Sequence, residues 1–147
     1  MKEPVVSRDD LGFLLAKATQ RWNELLAERF ARAGHGDVRP AYGSVLVPLF
    51  EEDGLRMGEL ARRARLSKQT MTQLVARLER DGLVERRPDA VDGRAALVYL
   101  TERSRRFRPV AGEALADLDA LARRRVSATR IAELKAALRE LIDLEDR

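Results

Sequence analysis

The stretch Leu66 to Arg87, reading LSKQTMTQLVARLERDGLVERR, limits the possible folds more than any other part of the chain. Ser67 can cap the free N–H groups of a first helical turn. Met71, Leu74, Val75 and Leu78 then fall at i, i+3, i+4 and i+7 and form one apolar stripe. Asp81-Gly82 closes the helix, because glycine accepts the left-handed geometry of a C-terminal cap. The opposite face carries Gln69, Thr72, Gln73, Ala76, Arg77 and Arg80, with Glu79 towards its edge as the one acid. Cations suit phosphate, whereas amides and hydroxyls suit base edges. The helix therefore reads as a recognition helix for the DNA major groove. A solvated amphipathic helix would share the same period, so the helix alone does not choose between the two.

The charge distribution adds weight to the first reading. The net charge is +4. Residues 56–108 hold fourteen basic and seven acidic side chains, a net of +7, whereas 1–55 carry −2 and 109–147 carry −1. The positive charge thus gathers around the recognition helix, as it would for a polyanion partner.

The flanking segments complete a helix-turn-helix. Met57, Leu60, Ala61 and Ala64 make a short helix, and Arg65-Leu66-Ser67 is a tight connection into the next. After Gly82 the period changes. Leu83 to Arg87 can form a strand, and Ala95 to Leu100 (AALVYL) is a stronger one. Pro88 to Arg94 between them has turn chemistry, so the unit is a β-hairpin with cations near its tip. A hairpin directly after a helix-turn-helix is a wing.

Long helices lie on both sides. Ser7 or Asp9 can cap a first helix that runs to about Ala33, with Leu11, Leu14, Leu15, Ala18, Trp22, Leu25, Leu26 and Phe30 on its apolar face. Gly34, Gly36 and Asp37 break it. Pro40 suits the first turn of a second helix carrying Tyr42, Val45, Leu46 and Leu49, which should bend or end at Pro48. Glu51 to Gly54 reads as a loop. Thr101 caps a long helix up to about Val126, with Pro109 inside it. Ser127 caps a last helix bearing Ile131, Leu134, Leu138 and Leu141 at near-heptad spacing. The expected fold is mainly α with a small β-hairpin.

Other classes fit poorly. The chain has no Cys, one His, no phosphate-cradling glycine loop and no metal-ligand cluster. No catalytic residue, metal site or cofactor is expected. The absence of disulfides, of a signal-peptide apolar region and of a membrane-length apolar run leads to the expectation of a cytoplasmic protein with no membrane partner. The rival from another class is a winged helix that binds protein instead of DNA. Acids on the recognition face would favour it, and Gln, Thr and Arg stand there instead.

The run from Met57 to Phe107 resembles the multiple antibiotic resistance regulator (MarR) family. The matching features are Leu60-Ala61, the helix start Ser67 to Thr70, the close Leu78-Glu79 to Val84, Arg86-Arg87, Asp92 to Arg94 at the wing, and Leu100-Thr101-Glu102. They keep their order and spacing over about a third of the chain. Three departures stand out. Ser104 occupies a place where Gly is frequent, Ala90-Val91 stands where Pro-Glu is common, and Pro48 interrupts a usually continuous helix. The first two read as minor.

The resemblance implies a winged-helix transcription regulator that binds a pseudo-palindromic operator as a homodimer. Residues 1–36 would form an N-terminal dimerisation helix, 37–101 the winged helix-turn-helix and 102–147 the C-terminal dimerisation helices. Leu11, Leu14, Leu15, Ile131, Leu134, Leu138 and Leu141 would pack between subunits, although one chain could bury them all by itself. On family grounds it would be a repressor, released by a small-molecule ligand.

Roles follow from the chemistry of each side chain. Gln69, Thr72, Gln73 and Arg77 are expected in the major groove, where Gln pairs with adenine, Arg with guanine and the Thr methyl with thymine. Ser67, Lys68 and Thr70 stand at the helix start, where Ser67 and Lys68 suit phosphate. Arg80, Arg86 and Arg87 are phosphate candidates. The resemblance implies that the wing tip carries Arg94 into the minor groove. Asp92 could hold its guanidinium in a bidentate pair, or Asp92-Gly93 could simply turn the hairpin. Family members often bind small aromatic or phenolic anions between the dimerisation helices and the winged domain. Trp22, His35, Arg39 and Tyr42 lie on the segments that would line such a crevice, though Trp22 suits a core equally well.

Overall fold

The structure, a computed structural model, describes residues 3–146. Helix α1 spans Leu11–Arg32. A 3-10 turn, Pro40–Tyr42, leads into α2, Gly43–Glu51. Strand β1, Leu55–Arg56, precedes α3, Met57–Ala64, and α4, Lys68–Arg80. Strands β2, Val84–Pro88, and β3, Ala96–Leu100, form the wing. Helices α5, Glu102–Val126, and α6, Ala128–Ile142, close the chain.

The stripe on α4 does what its spacing predicts. Met71, Val75 and Leu78 are buried, and they pack in one core with Val45, Leu49, Leu60, Leu83, Val84, Val98 and Phe107. This core lies between α2, α3, α4, the sheet and the first turns of α5. Phe30 extends it to α1 by an edge-on contact with Phe107, ring centroids 4.9 Å apart. The rest of α1 is covered far less. Leu26 and Phe30 are its buried residues, whereas Leu11, Leu14 and Trp22 are exposed.

Helix ends are closed by backbone geometry. Leu83 N–H donates to the Leu78 carbonyl at 2.9 Å and Gly82 N–H to that of Glu79 at 3.1 Å, with Gly82 at φ +72°. The same paired pattern ends α1 at Gly34 and α3 at Arg65, where a non-glycine residue adopts φ 54°. The α5–α6 junction is tighter still. Ser127 is the single residue between the helices, at φ 116°, and its Oγ accepts from Arg130 N–H at 3.2 Å.

Several expectations need correction. Asp10, rather than Ser7 or Asp9, caps α1 and accepts from Phe13 N–H at 3.2 Å; Ser7 Oγ accepts from Asp9 N–H one step earlier. Pro40 starts the 3-10 turn instead of α2 itself. Pro48 does not end α2: the helix runs three residues further, and the proline is buried. Its place there offsets the lost backbone bond. Helix α5 likewise continues through Pro109, whose ring lies on the exposed side.

The sheet also has one strand more than the hairpin. Its order is β1-β3-β2, antiparallel throughout, with Leu55 opposite Val98 and Arg86 opposite Val98 on the other edge. A two-residue strand has no period to read, so the sequence pattern gives no sign of it.

Gly54 makes that third strand possible. It sits at φ +71°, and a Cβ there would lie 2.8 Å from Tyr99 Cε1. The left-handed backbone and the ring both exclude a side chain. Gly54→Ala is expected to lower the unfolding free energy by about 2 kcal/mol or more, read as a fall in the urea midpoint at unchanged slope.

Candidate nucleic-acid interface

The face of α4 away from the core is open. Lys68, Gln69, Thr70, Thr72, Gln73, Arg77 and Arg80 are all exposed. Gln69, Gln73 and Arg80 fall within 40° of one another around the axis at 100° per residue, with Arg77 beside them. Among the described residues, the side chains of Lys68, Gln69, Gln73, Arg77 and Arg80 have no hydrogen-bond or ion-pair partner within the chain. They stand ready to meet something outside it.

The hydroxyls of the helix start behave differently. Ser67 Oγ accepts from Thr70 N–H at 3.1 Å and donates to Thr70 Oγ1 at 2.8 Å. Thr72 Oγ1 donates to the Lys68 carbonyl at 2.8 Å. Ser67 and Thr70 therefore build the cap first. Thr72 presents chiefly its methyl group, in keeping with an apolar contact.

The wing arginines are not equivalent. Arg86 grips Glu79 on α4 with two nitrogens, at 2.8 and 3.2 Å. That guanidinium holds the Glu79 carboxyl below its usual range, so Glu79 stays ionised and masks Arg86. Arg87 pairs with Glu85 and lies 4.5 Å over the Tyr99 ring. Arg94 at the tip has an exposed guanidinium with no partner among the described residues.

The tip is shaped by two aspartates. Asp89 Oδ1 accepts from Val91 N–H at 2.9 Å, and Asp92 Oδ1 accepts from Arg94 N–H at 3.1 Å. Asp92 thus holds the backbone of Arg94 rather than its guanidinium, and the bidentate pair is absent. Asp89 also accepts from Arg56 at 2.6 Å, tying the tip back to β1. The Val91 amide first, and Arg56 second, keep the Asp89 carboxyl below its ordinary range.

The position of α4 is set from α5. Three side chains of the first α5 turn take three consecutive carbonyls after α4. Arg103 donates to Asp81 O, Thr101 Oγ1 to Gly82 O at 2.7 Å, and Ser104 Oγ to Leu83 O. Ser104 is wholly buried. The departure at position 104 is therefore a working contact, which the sequence pattern alone did not reveal. Arg103 also bonds Asp37 in the α1–α2 loop. Tyr42, from the 3-10 turn, donates its hydroxyl to Asp81 Oδ2 at 2.6 Å. Burial first, and then Asp81, raise the Tyr42 pKa, against the opposing pull of Arg39 and Arg77.

The four residues expected at a ligand crevice divide. A cavity of about 210 Å³ between α1, α2 and α5 is lined by Trp22 and Arg39 together with Leu26, Phe50 and Phe107. Tyr42 does not line it, because it turns towards Asp81. His35 packs on Phe107, ring centroids 5.3 Å apart, and is not part of the lining either. Arg39 also borders a second, polar pocket on the α4 side.

The basic residues ahead of α4 are already engaged. Arg62 and Arg63 clamp Glu59, whose pKa is lowered to about 2, and Arg65 pairs with Asp143 beyond α6. No helix among the described residues is long and apolar enough to cross a membrane.

Residues 38–95 match the MarR family model. The chain is 39% identical over 79 residues to the HTH-type transcriptional regulator TtmR of Methylorubrum extorquens, a stretch covering 54% of this chain and 40% of TtmR. It thus spans less than half the length of that relative. A probable transcriptional regulator from Pseudomonas aeruginosa superposes with a TM-score of 0.79 at 29% identity, over 90% of this chain and 97% of that one. The repressor CouR of Rhodococcus jostii RHA1, in its structure on a 23-mer DNA duplex, superposes at 0.73 with 23% identity, over 92% and 97% of the two chains. The wing and the capped α4 fall within or beside the matched residues 38–95, and that segment is similar to the MarR family.

Proposed function

We propose that the protein is a transcriptional regulator that binds a pseudo-palindromic DNA operator as a homodimer and has no catalytic role. The observation that carries this reading is the unpartnered face of α4, polar and cationic and free of acids apart from the masked Glu79, beside a wing tip bearing an unpaired Arg94. Gln69, Gln73, Thr72 and Arg77 read bases in the major groove. Lys68 and Arg80 hold phosphate, and Arg94 enters the minor groove. Arg86 and Arg87 serve as weaker phosphate contacts, because each must first share its charge with a glutamate. A cytoplasmic location fits that role.

Exposed leucines support the dimer. Leu11, Leu14 and Leu134 are each about half exposed, and Ile131 is the one buried residue described in α6. A groove of about 350 Å³ between α1, α5 and α6 is lined by Leu15, Ile131, Leu134 and Leu138. So much apolar surface at the two ends of the chain suits burial against a second copy. Two copies place the recognition helices on half-sites ~10 bp apart in an inverted repeat. A small aromatic or anionic ligand fits the cavity holding Trp22 and Arg39, and repression released by such a ligand is the regulatory scheme we favour.

Fluorescence anisotropy in a salt series tests the DNA reading, using a duplex from upstream of the protein's own gene against a scrambled one. Tight, selective and steeply salt-dependent binding is expected. Absence of binding even at low salt would favour a protein-binding winged helix instead. In the same assay Arg94→Ala should lose ~1–3 kcal/mol of operator affinity if it reads the groove. Unchanged affinity and salt slope would refute the wing assignment. For the dimer, Leu134→Arg should halve the mass seen by light scattering while leaving the helical circular dichroism intact. A variant that stays dimeric would exclude this face as the interface.

A further inference from the structure

We propose that Arg39 joins Arg80, with Arg77 beside them at the edge of the base-reading face, in a phosphate site that takes a backbone phosphodiester of bound DNA at the C-terminal end of α4. This rests on the DNA reading above and adds a residue from outside the helix-turn-helix to that interface.

The pocket has a volume of about 420 Å³ and is lined by Arg39, Tyr42, Arg77, Arg80 and Asp81. Its lining thus counts three arginines against one carboxylate. That carboxylate is already engaged, because Tyr42 donates its hydroxyl to Asp81 Oδ2 at 2.6 Å. None of the three arginine side chains has a hydrogen-bond or ion-pair partner among the described residues. Six other arginines of the basic 56–108 segment are paired: Arg56, Arg62, Arg63, Arg86, Arg87 and Arg103 all sit on carboxylates. A pocket left with a net charge of +2 in such a protein has the composition of an anion site.

The position of the pocket selects the anion. Arg80 lies on the same stripe of α4 as Gln69 and Gln73, so the pocket continues the recognition face towards its C-terminal end. A duplex seated on that face passes its sugar-phosphate backbone over this end. Arg39 is held where it stands by its neighbours: Val38 is buried, and Pro40 fixes the chain at the start of the 3-10 turn. Its guanidinium can approach a phosphate as a two-pronged donor. Phosphate contacts carry no sequence information, so this one should act on any duplex.

The test is the salt dependence of anisotropy on both the upstream duplex and a random-sequence duplex, for wild type, Arg39→Met and Arg39→Lys. Arg39 is exposed, and the thermal melting of all three should coincide. Arg39→Met is expected to weaken binding about tenfold near 0.1 M salt and to reduce the salt slope by ~1, equally on both duplexes. Arg39→Lys should restore the slope. Wild-type affinity and slope in Arg39→Met would overturn the inference while leaving the DNA reading intact. A loss confined to the upstream duplex would make Arg39 a base reader and overturn the phosphate assignment. Failure of the wild type to bind either duplex would remove both readings together.

Discussion

The capture of three successive carbonyls by one turn of α5 is the contact on which the geometry of the interface depends. Helix α4 ends in a glycine cap that satisfies its own last turn, but the carbonyls of Asp81, Gly82 and Leu83 then point away from it. Arg103, Thr101 and Ser104 take them in order. A backbone segment held at three adjacent points can neither slide nor rotate independently of its partner. The recognition helix is thereby oriented relative to the long helix that leads to the far end of the molecule. Tyr42 adds a fourth hold from the opposite side. The Ser104 bond is buried, where low water access strengthens it, whereas the Thr101 bond is exposed.

Pairing divides the basic residues between Arg56 and Arg94 into two groups. Those around β1, α3 and the strands of the wing are matched with Glu52, Glu59, Glu79, Glu85 or Asp89, and they stiffen the scaffold. Exposed pairs of this kind add little stability each, but they neutralise charge. Those on the outer face of α4 and at the wing tip are left unmatched. The local excess of positive charge is therefore concentrated onto a narrower surface than the sequence total suggests.

What could be read from the sequence follows from how local each signal is. The α4 helix, its Ser67 cap, its glycine stop and the two wing strands depend on residues within a few positions of each other, and they stand where periodicity and capping rules put them. Strand β1 was missed because two residues carry no alternation; it exists through pairing with Val98 and Leu97, far along the chain. That α2 continues past Pro48 was not legible, because burial of its ring depends on neighbours that only the folded chain supplies. The four residues grouped as a crevice share no local signal that says which way they turn, and Tyr42 turns to Asp81, thirty-nine positions away. Ser104 looked like a minor departure for the same reason: its partner is a carbonyl on another element. Sequence periodicity could locate the exposed polar face of α4, but not which of its arginines are free.

The junction at Ser127 gives α5 the character of a lever. The helix has 25 residues, which at 1.5 Å each makes it roughly 37 Å long. One end is bolted to the recognition helix. The other carries α6 across a single residue, with no slack to take up a turn. A tilt of about 5° at the bolted end therefore moves the α6 end by roughly 3 Å over that length. Whatever α6 packs against must move with it or resist it. In the proposed dimer, the spacing between the two α4 helices and the packing at the chain ends are in this sense one mechanical setting.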